Sequence, residues 1–260
     1  MTATILLHPS LTPLGGGINF RELGGNIAAD GRRIKRGWLY RSGALNQLTD
    51  KDCHFLSQIP VAHILDYRDS DEVADKPDII WSGCQYHHAP ANPLSDVISA
   101  NLEQLSAQTI AGFDPEKFMQ ELYRRLPFNN SAYKQLVAIL RQPNGGALVQ
   151  HCAVGKDRTG IGSALVLFAL GADKNTVIED YLLTDTTLAP FREQLLARMS
   201  LNLGKIALDK FGYVLSVRES FIDTAIAEIE VRYGSTDSWL EKEYGVTAQV
   251  RESLRERYLE

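Results

Sequence analysis

The sequence predicts an α/β fold, with a small central, mostly parallel sheet flanked by helices. Two short apolar runs predict buried strands, Val61–Leu65 and Ala147–Val149, and the second follows the turn-forming residues Pro143–Gly146. An apolar segment rich in Ala and Leu, Ile161–Leu170, then predicts a helix that ends at Gly171. Most of the chain beyond this glycine also has a helical pattern.

The composition is that of an ordinary globular protein. Hydrophobic residues make up 44% and charged residues 23% of the 260 positions, and the formal net charge is −5. A negative chain lacks the bulk positive field on which nucleic-acid binding often relies, so we expect no nucleic-acid partner. The three cysteines are too few for a disulfide framework and favour a reducing compartment. We find no signal peptide and no apolar segment long enough to span a bilayer. We therefore expect a cytoplasmic protein without a transmembrane anchor, and secretion by a route without a signal peptide stays open.

The N-terminal part predicts an arm, a strand and a capped helix. Residues 1–17 are expected to form an extended arm that ends in three glycines. Ile18–Leu23 predicts a strand. Thr49 is placed to cap a helix over Asp50–Gln58, and Asp52 supports its first turn.

Polar residues follow the first buried strand where it ends. Asp66 and Arg68 lie there, at the edge of the sheet where functional groups collect in doubly wound folds. An ion pair that holds the loop and a catalytic role are equally good interpretations of these two residues. A further strand is predicted over Cys84–Ala89, where His87 and His88 face opposite sides and so cannot both bind one metal ion.

The segment 90–127 is the least regular part of the chain. Prolines separate two predicted helices, Asp96–Gln108 and Pro115–Arg125. The segment is a candidate lid over the site, and a helical hairpin on the surface is the equally weighted alternative. Ser131 then caps a predicted helix that runs to Arg141.

The remainder, about 172–260, predicts a helical extension of a single domain that spans residues 1–260. Ser216 and Glu219 have the spacing of a capping box for one of its helices. The predicted helices are Lys174–Leu183, Pro190–Leu201, Val217–Tyr233, Thr236–Glu243 and Thr247–Tyr258.

The chemistry concentrates between the second buried strand and the helix that follows it, in a segment we call the phosphate loop (Cys152–Arg158). A loop at this place leaves backbone N–H groups unpaired at the positive end of a helix, which is an anion site. Cys152 stands at that helix N-terminus near Lys156 and Arg158, so we expect its thiol to ionise readily. The planar guanidinium of Arg158 can hold two oxygens of a phosphate. A thiolate, a ring of amides and a guanidinium together suit in-line attack on a phosphoryl group.

The segment His151–Gly160 resembles the signature of the cysteine phosphatases, His-Cys-five residues-Arg-Ser/Thr-Gly. Its ending, Gly-Lys-Asp-Arg-Thr-Gly, resembles in particular the bacterial branch of tyrosine and lipid phosphatases. Further segments across nearly the whole chain resemble that branch: Asn19–Gly25, Leu39–Gly43, Leu65–Arg68, Glu179–Leu183 and the region Ile229–Leu240. The resemblance implies the cysteine phosphatase fold. It also implies activity on phosphotyrosine in proteins, with phosphoinositide or dual-specificity activity as a further option.

On this basis we expect a phosphomonoester hydrolase with a cysteinyl-phosphate intermediate, without metal or other cofactor. Cys152 would attack phosphorus while Arg158 and the loop amides hold the equatorial oxygens. The residues that supply those amides are Ala153, Val154, Gly155, Lys156, Asp157 and Arg158. We expect Thr159 to hydrogen-bond Cys152, and His151 to anchor the loop through its ring. Lys156 is expected to add a cation at the mouth of the site, where it would favour a phosphoinositide or other polyanionic headgroup. The alternative is that it serves only to stabilise the Cys152 thiolate.

The general acid is less directly indicated. The resemblance implies an Asp on the loop after the strand Cys84–Ala89, where cysteine phosphatases usually carry one, but the early positions of that loop hold no carboxylate here. Asp157 is our first choice, since a bound phosphate dianion would favour its protonated form and it could then protonate the leaving oxygen. A purely structural role in bracing the loop is the alternative. Asp66, Asp114 and Asp96 follow in that order.

Two function classes compete with hydrolysis. One is a phosphate-binding module without turnover, against which the intact Cys152, Asp157 and Arg158 argue. The other is a sulfurtransferase, which also uses a cysteine at a strand end, but the five-residue gap to Arg158 favours the phosphatase. A nucleotide-binding P-loop is excluded because Gly155 and Lys156 are followed by Asp157, and no glycine begins the cradle. The sequence leaves the oligomeric state open.

Overall fold

Five strands form one mixed sheet in the order β1-β2-β5-β3-β4. The strands are β1 Arg21–Glu22, β2 Leu39–Ser42, β3 Val61–Asp66, β4 Gln85–His88 and β5 Ala147–His151. The structure is a computed structural model that describes residues 8–95, 106–143 and 145–260. Strands β2, β5, β3 and β4 run parallel, and only β1 pairs antiparallel, on the edge beside β2. The predicted α/β fold with a mostly parallel sheet is confirmed.

Helices cover both faces of this sheet. Those before β5 are α1 Asp50–Ser57, α2 Ser70–Asp75, α3 Ala107–Gly112, α4 Pro115–Arg125 and α5 Ser131–Leu140. Those after it are α6 Asp157–Leu170, α7 Lys174–Met199, α8 Lys205–Leu215, α9 Glu219–Tyr233, α10 Thr236–Tyr244 and α11 Ala248–Tyr258.

Alternation along the strands separates two layers of core. Leu65 and Leu148 point into a large cluster with α4–α6 and α9–α11, whereas Ile64 and Val149 point into a smaller one that includes Leu56 of α1. β5 is buried along its whole length because it has a strand on each side and a core layer on each face. The carboxyl end of β5 is therefore held by neighbouring strands on both sides.

Most helix bounds follow the sequence signals, and the capping box of Thr49 and Asp52 forms as predicted at α1. Two predicted helix caps differ from the structure. The cap of α5 is Asn130 rather than Ser131, because the Asn130 side chain accepts from the Ala132 amide. No capping box forms at α9, because the Ser216 hydroxyl donates instead to the Tyr213 carbonyl at the end of α8.

The break predicted before Pro190 is wrong, because α7 runs through it without interruption. Proline removes one helical hydrogen bond, but Leu188 and Leu195 on either side of it are buried and hold both halves in place. The α8 helix was missing from the prediction, although Ala207, Phe211 and Val214 are buried at helical spacing.

The segment 90–127 contributes α3 and α4. The predicted helix over Pro115–Arg125 is confirmed as α4, whereas most of the predicted helix Asp96–Gln108 lies outside the described residues. Helix α3 packs on α7 and α8 through Ile110, and α4 packs on α8 and α9. Among the described residues, each helix is too short or too polar to cross a bilayer.

Candidate active site

The phosphate loop connects the carboxyl end of β5 to the N-terminus of α6, which begins at Asp157. Cys152 is the first loop residue and is only 2% exposed. Helix α6 starts at Asp157, four residues before the predicted start at Ile161. The positive end of the helix therefore lies inside the phosphate loop. An anion at this position would meet both the loop amides and the helix terminus.

The loop carbonyls are bound from outside the loop. Ala153 accepts from the Ala44 amide at 2.9 Å, and the side chain of Asn19 donates to Val154 at 3.2 Å and to Gly155 at 3.0 Å. In a trans peptide the C=O and N–H groups point in opposite directions, so the amides that follow these carbonyls point to the concave side. This geometry supports the anion site that the sequence predicts.

Gly155 is required where it stands. Its φ of +69° is a left-handed conformation, and a Cβ built on it would lie 2.4 Å from the Ser42 carbonyl oxygen. The loop can approach β2 this closely only without a side chain.

A buried cluster behind the loop fixes Asn19. Arg21 donates to the Asn19 carbonyl and to the carbonyl of Asp180, while Arg41 donates to Gly155 at 2.9 Å. The Asp180 carboxylate pairs with both guanidinium groups. These residues belong to the recurring segments noted in the sequence, and the structure shows that those segments meet beneath the loop.

Arg158 is held by a carboxylate that the sequence analysis did not single out. Its guanidinium donates to Glu72 of α2 at 2.5 and 2.9 Å and to the Tyr67 carbonyl at 3.3 Å. Burial by itself would lower the pKa of Arg158, but the charge and hydrogen bonds of Glu72 outweigh this and raise that pKa well above its usual value. The Tyr133 hydroxyl also donates to the Arg158 carbonyl at 2.7 Å. Arg158 is thus a fixed cation in the loop.

Lys156 does not lie at the mouth of the site. It is fully buried, and its ammonium donates to the carbonyls of Val214 and Ser216 at the end of α8. It also lies 3.4 Å from an Asp157 oxygen and 5.6 Å from the centre of the Phe221 ring. Burial is the main influence on its pKa, which is lowered. The expectation of a solvent-facing headgroup contact is therefore wrong, since Lys156 ties the loop to α8.

Asp157 lines the pocket with a side chain that is 19% exposed. Its Oδ1 atom accepts from the Tyr123 hydroxyl at 2.7 Å, and that hydroxyl lies 2.7 Å from the hydroxyl of Tyr181. Both tyrosines are buried. Of the carboxylates considered for the general acid, Asp157 is the one that lines the pocket among the described residues.

Asp66 and Arg68 form an ion network with His151 and Asp78. Arg68 donates to Asp66 at 2.7 Å and lies 2.7 Å from Asp78, while the His151 ring lies 3.1 Å from Asp78 and 3.7 Å from Asp66. Burial would raise the pKa of Asp66, but His151 and Arg68 outweigh it and hold this pKa far below its usual range. Asp66 therefore stays ionised and does not suit a proton donor. The structural interpretation of Asp66 and Arg68 is the better one.

The same network has three potential metal ligands, because donor atoms of Asp66, Asp78 and His151 lie within 4.8 Å of one another. Arg68 already neutralises both carboxylates, which makes the group an ion network rather than a cation site. For His151, burial would lower the pKa, but the charges of Asp66 and Asp78 raise it overall. The histidine ring contacts Asp66 and Asp78 in this network, and its role as an anchor of the loop stays a prediction.

The other predicted site residues lie elsewhere. The Thr159 hydroxyl is buried without a hydrogen-bond partner in the described structure, so the expected bond to Cys152 is not formed. Asp114 is the exposed N-cap of α4 and accepts from the amides of Glu116 and Lys117. Asp96 lies outside the described residues.

The pocket above Cys152 is polar at its base and apolar on one wall. Its volume of about 140 Å³ is several times the roughly 30 Å³ that one water occupies in the liquid, which leaves room for a phosphoryl group. Helices α7 and α8 form the apolar wall, to which Phe191, Leu195, Phe211, Val214 and Leu215 contribute. No described residue of the segment 90–127 lines the pocket, so the wall comes from the helical extension instead.

Sequence reasoning gave no individual role to two carboxylates and two phenols of the site, although Asp180 and Tyr181 lie in the segment Glu179–Leu183 that it singled out: Glu72, Asp180, Tyr123 and Tyr181. Glu72 has a visible signal only as the third residue of a capping box with Asp69. That signal predicts a helix start and gives no indication of a partner in the phosphate loop.

Comparison with known proteins agrees with this geometry. A sequence model of the tyrosine phosphatase family matches residues 12–260. A chain of Cupriavidus necator named as a tyrosine-protein phosphatase is 33% identical over 90% of this chain and 84% of its own length. The triple specificity protein phosphatase PtpB of Mycobacterium tuberculosis is 26% identical over 93% of this chain and 96% of its own length.

Among solved structures, P. aeruginosa TpbA matches 76% of this chain and 89% of its own, with 15% identity and a TM-score of 0.30, which is too low to support an argument. The family model and the relatives cover nearly the whole chain, and they remove the non-catalytic and sulfurtransferase alternatives. The chain therefore belongs to the tyrosine phosphatase family.

Proposed function

We propose that this protein hydrolyses phosphotyrosine through a cysteinyl-phosphate intermediate, with Cys152 as nucleophile and Asp157 as general acid and base. The observation that carries the proposal is the convergence of four groups on one pocket. These groups are the Cys152 thiol, the backbone amides of the phosphate loop, the Arg158 guanidinium and the Asp157 carboxyl. The loop carbonyls are bound by Asn19 outside the loop, and the guanidinium is bound by Glu72.

In the first step the Cys152 sulfur forms a bond to phosphorus as the bond from phosphorus to the leaving oxygen breaks. The proton on Asp157 moves to the leaving oxygen, which departs as a neutral phenol or alcohol. The loop amides and Arg158 hold the three equatorial oxygens, where charge is spread in the transition state.

In the second step a water oxygen forms a bond to phosphorus while the sulfur–phosphorus bond breaks. Asp157, now ionised, takes a proton from that water, and the thiolate of Cys152 is restored. Inorganic phosphate then leaves, and the enzyme is ready for another cycle with Asp157 protonated again.

The apolar wall supports an aromatic substrate. Phe191, Phe211 and Leu215 line the pocket and offer apolar surface on which a phenyl ring could pack. One relative is named as a triple specificity phosphatase, which supports a pocket that admits more than one phosphorylated group. A phosphoinositide headgroup is the second candidate, because Lys76 and Arg198 also line this pocket.

The decisive experiment compares wild type, Cys152→Ser and Asp157→Asn on aryl phosphates of increasing leaving-group pKa. Cys152→Ser should lose turnover yet still bind phosphate. Asp157→Asn should lose about 100-fold or more on poor leaving groups and far less on good ones. Near wild-type turnover by Cys152→Ser would refute the covalent mechanism, and a uniform loss in Asp157→Asn would refute the acid role.

Substrate class is tested separately with three substrates at matched phosphate concentration. These are a phosphotyrosine peptide, a phosphoserine peptide and vesicles that contain a phosphoinositide. We expect kcat/KM to be highest on the phosphotyrosine peptide. A higher value on the vesicles would make the lipid headgroup the preferred substrate.

A further inference from the structure

The hydroxyl chain behind Asp157 has one direction when that carboxylate is ionised. The Tyr123 hydroxyl lies 2.7 Å from Asp157 Oδ1 and donates its proton to that oxygen. The same oxygen of Tyr123 lies 2.7 Å from the Tyr181 hydroxyl, and with its own proton already used it can only accept there. Tyr181 therefore donates to Tyr123, which in turn donates to Asp157.

Both phenols are permanent donors at ordinary pH. Tyr123 and Tyr181 are 0% and 1% exposed. Burial, followed by the negative charge of Asp157, raises the pKa of each well above its usual value. Both hydroxyls therefore keep their protons at ordinary pH, and neither can take up the proton of Asp157 by starting as a phenolate.

The two oxygens of Asp157 consequently differ. Oδ1 faces the Tyr123 hydroxyl and the Lys156 ammonium, which lies 3.4 Å away. A proton on Oδ1 would require Tyr123 to turn its hydroxyl and accept, and the Lys156 ammonium, which can only donate, would still face that oxygen. Oδ1 is therefore the less favourable oxygen for the proton. When Asp157 is protonated, the proton belongs on Oδ2, the oxygen that neither of these contacts with Tyr123 and Lys156 uses.

We propose that Tyr123, supported by Tyr181, is a positioning residue that holds the Asp157 carboxyl with its acidic proton on Oδ2 and directed into the pocket. This inference rests on the proposed role of Asp157 as general acid. It gives helix α4 of the segment 90–127 a function, because α4 supplies Tyr123 from its last turn. Helix α4 would then act from behind the acid.

The cost of losing this orientation should appear only where proton donation matters. Poor leaving groups need the proton in the transition state, whereas good ones depart without it. Tyr123→Phe should therefore lose on the order of tenfold in kcat on poor leaving groups and stay within about twofold on good ones. Tyr181→Phe should show a smaller loss with the same dependence, because it weakens the support and leaves the bond to Asp157.

Tyr244→Phe is the matched control. Tyr244 is a buried phenol that donates to the Pro127 carbonyl at 2.7 Å, and it does not line the pocket. Its loss should lower thermal stability by an amount similar to that of Tyr123→Phe, without any dependence on the leaving group. This control separates the loss of a buried hydrogen bond from the loss of acid positioning.

The test combines these variants with Asp157→Asn on the same series of aryl phosphates. In the Asp157→Asn background, Tyr123→Phe should cause no further loss on poor leaving groups, because there is no acidic proton left to position. A leaving-group effect in Asp157→Asn together with a uniform loss in both Tyr123→Phe and Tyr181→Phe would overturn this inference alone. A uniform loss in Asp157→Asn would instead overturn the acid role on which it rests. If Tyr123→Phe fails to fold, Tyr181→Phe decides the question by the same comparison.

Discussion

Glu72 accepts two hydrogen bonds from the guanidinium of Arg158, at 2.5 and 2.9 Å, and both side chains are buried. Glu72 Oε2, which accepts the 2.5 Å bond, also accepts from the Asp69 amide at 2.7 Å and so closes the first turn of α2. One carboxylate therefore sets both the start of a helix and the plane of the guanidinium that would face phosphate.

We expect Glu72→Gln to lower kcat/KM on aryl phosphates by about 10-fold to 100-fold. The side chain keeps its size, but Arg158 loses its counter-charge and one of two paired acceptors, so its guanidinium can leave the productive plane. Steady-state kinetics and thermal unfolding measure the two consequences. Asp71→Asn, an exposed neighbour on α2, is the control and should change neither. Unchanged kinetics in Glu72→Gln would show that Arg158 needs no such partner.

Lys156→Met should reduce turnover of aryl phosphates and phosphoinositides by similar factors. Its ammonium donates to the carbonyls of Val214 and Ser216, so the substitution leaves buried acceptors unpaired at a cost of about 1–3 kcal/mol each. The wall formed by α8 should then loosen for every substrate. Parallel assays on the two substrate classes and a melting temperature test this. Lys205→Met, exposed on α8, is the control. A loss confined to phosphoinositides would favour direct contact with the headgroup instead.

Gly155→Ala should abolish most activity. Its Cβ would lie 2.4 Å from the Ser42 carbonyl oxygen, so the loop would have to move away from β2. Gly31→Ala is the matched control, because Gly31 also has a positive φ, of +87°, but has nothing within 4 Å of an added Cβ. That control should cost only about 1 kcal/mol of stability and leave turnover intact. Equal activity in the two variants would mean that the close approach is not needed.

The free energy of unfolding should fall as pH rises above neutrality, in part through His151. Its pKa is raised in the folded protein, where Asp66 and Asp78 outweigh the effect of burial. A raised folded pKa gives stability that is fully present below the unfolded value of about 6.5 and is lost as pH rises through the folded value. Urea unfolding between about pH 6 and pH 9 measures this slope. In His151→Gln the slope should be smaller, and an identical slope would mean that His151 does not titrate with folding.

The sequence predicted the strand, loop and helix that carry the site better than it predicted the residues that contact the loop. Strand β5, the loop and α6 are close in sequence, so local signals such as Gly171 and the apolar runs were enough to place Cys152 and Arg158. The partners of the loop come from distant segments: Asn19 before β1, Glu72 in α2 and Tyr123 in α4. Each is compatible with an ordinary cap or core position, so only the packing shows what it contacts.

The burial of Lys156 could not be predicted from its neighbours in sequence. A lysine in a glycine-containing loop favours a solvated cation, and nothing adjacent in sequence indicates burial. Its position depends on the end of α8, a helix that the sequence analysis did not recognise. Missing that helix therefore also misplaced the lysine, since the carbonyls of Val214 and Ser216 were not available as partners in the prediction.

The position of β5 between β2 and β3 has a consequence for the order in which the chain can fold. Both neighbours emerge from synthesis well before β5, and neither pairs with the other, so the two halves of the sheet wait for residues 147–151. Such long-range parallel pairing is slow to form and leaves strand edges open in the meantime. The strand that joins the halves is also the one that ends at Cys152. A nascent chain therefore cannot bring Cys152 and the phosphate loop to their final place before its sheet is complete.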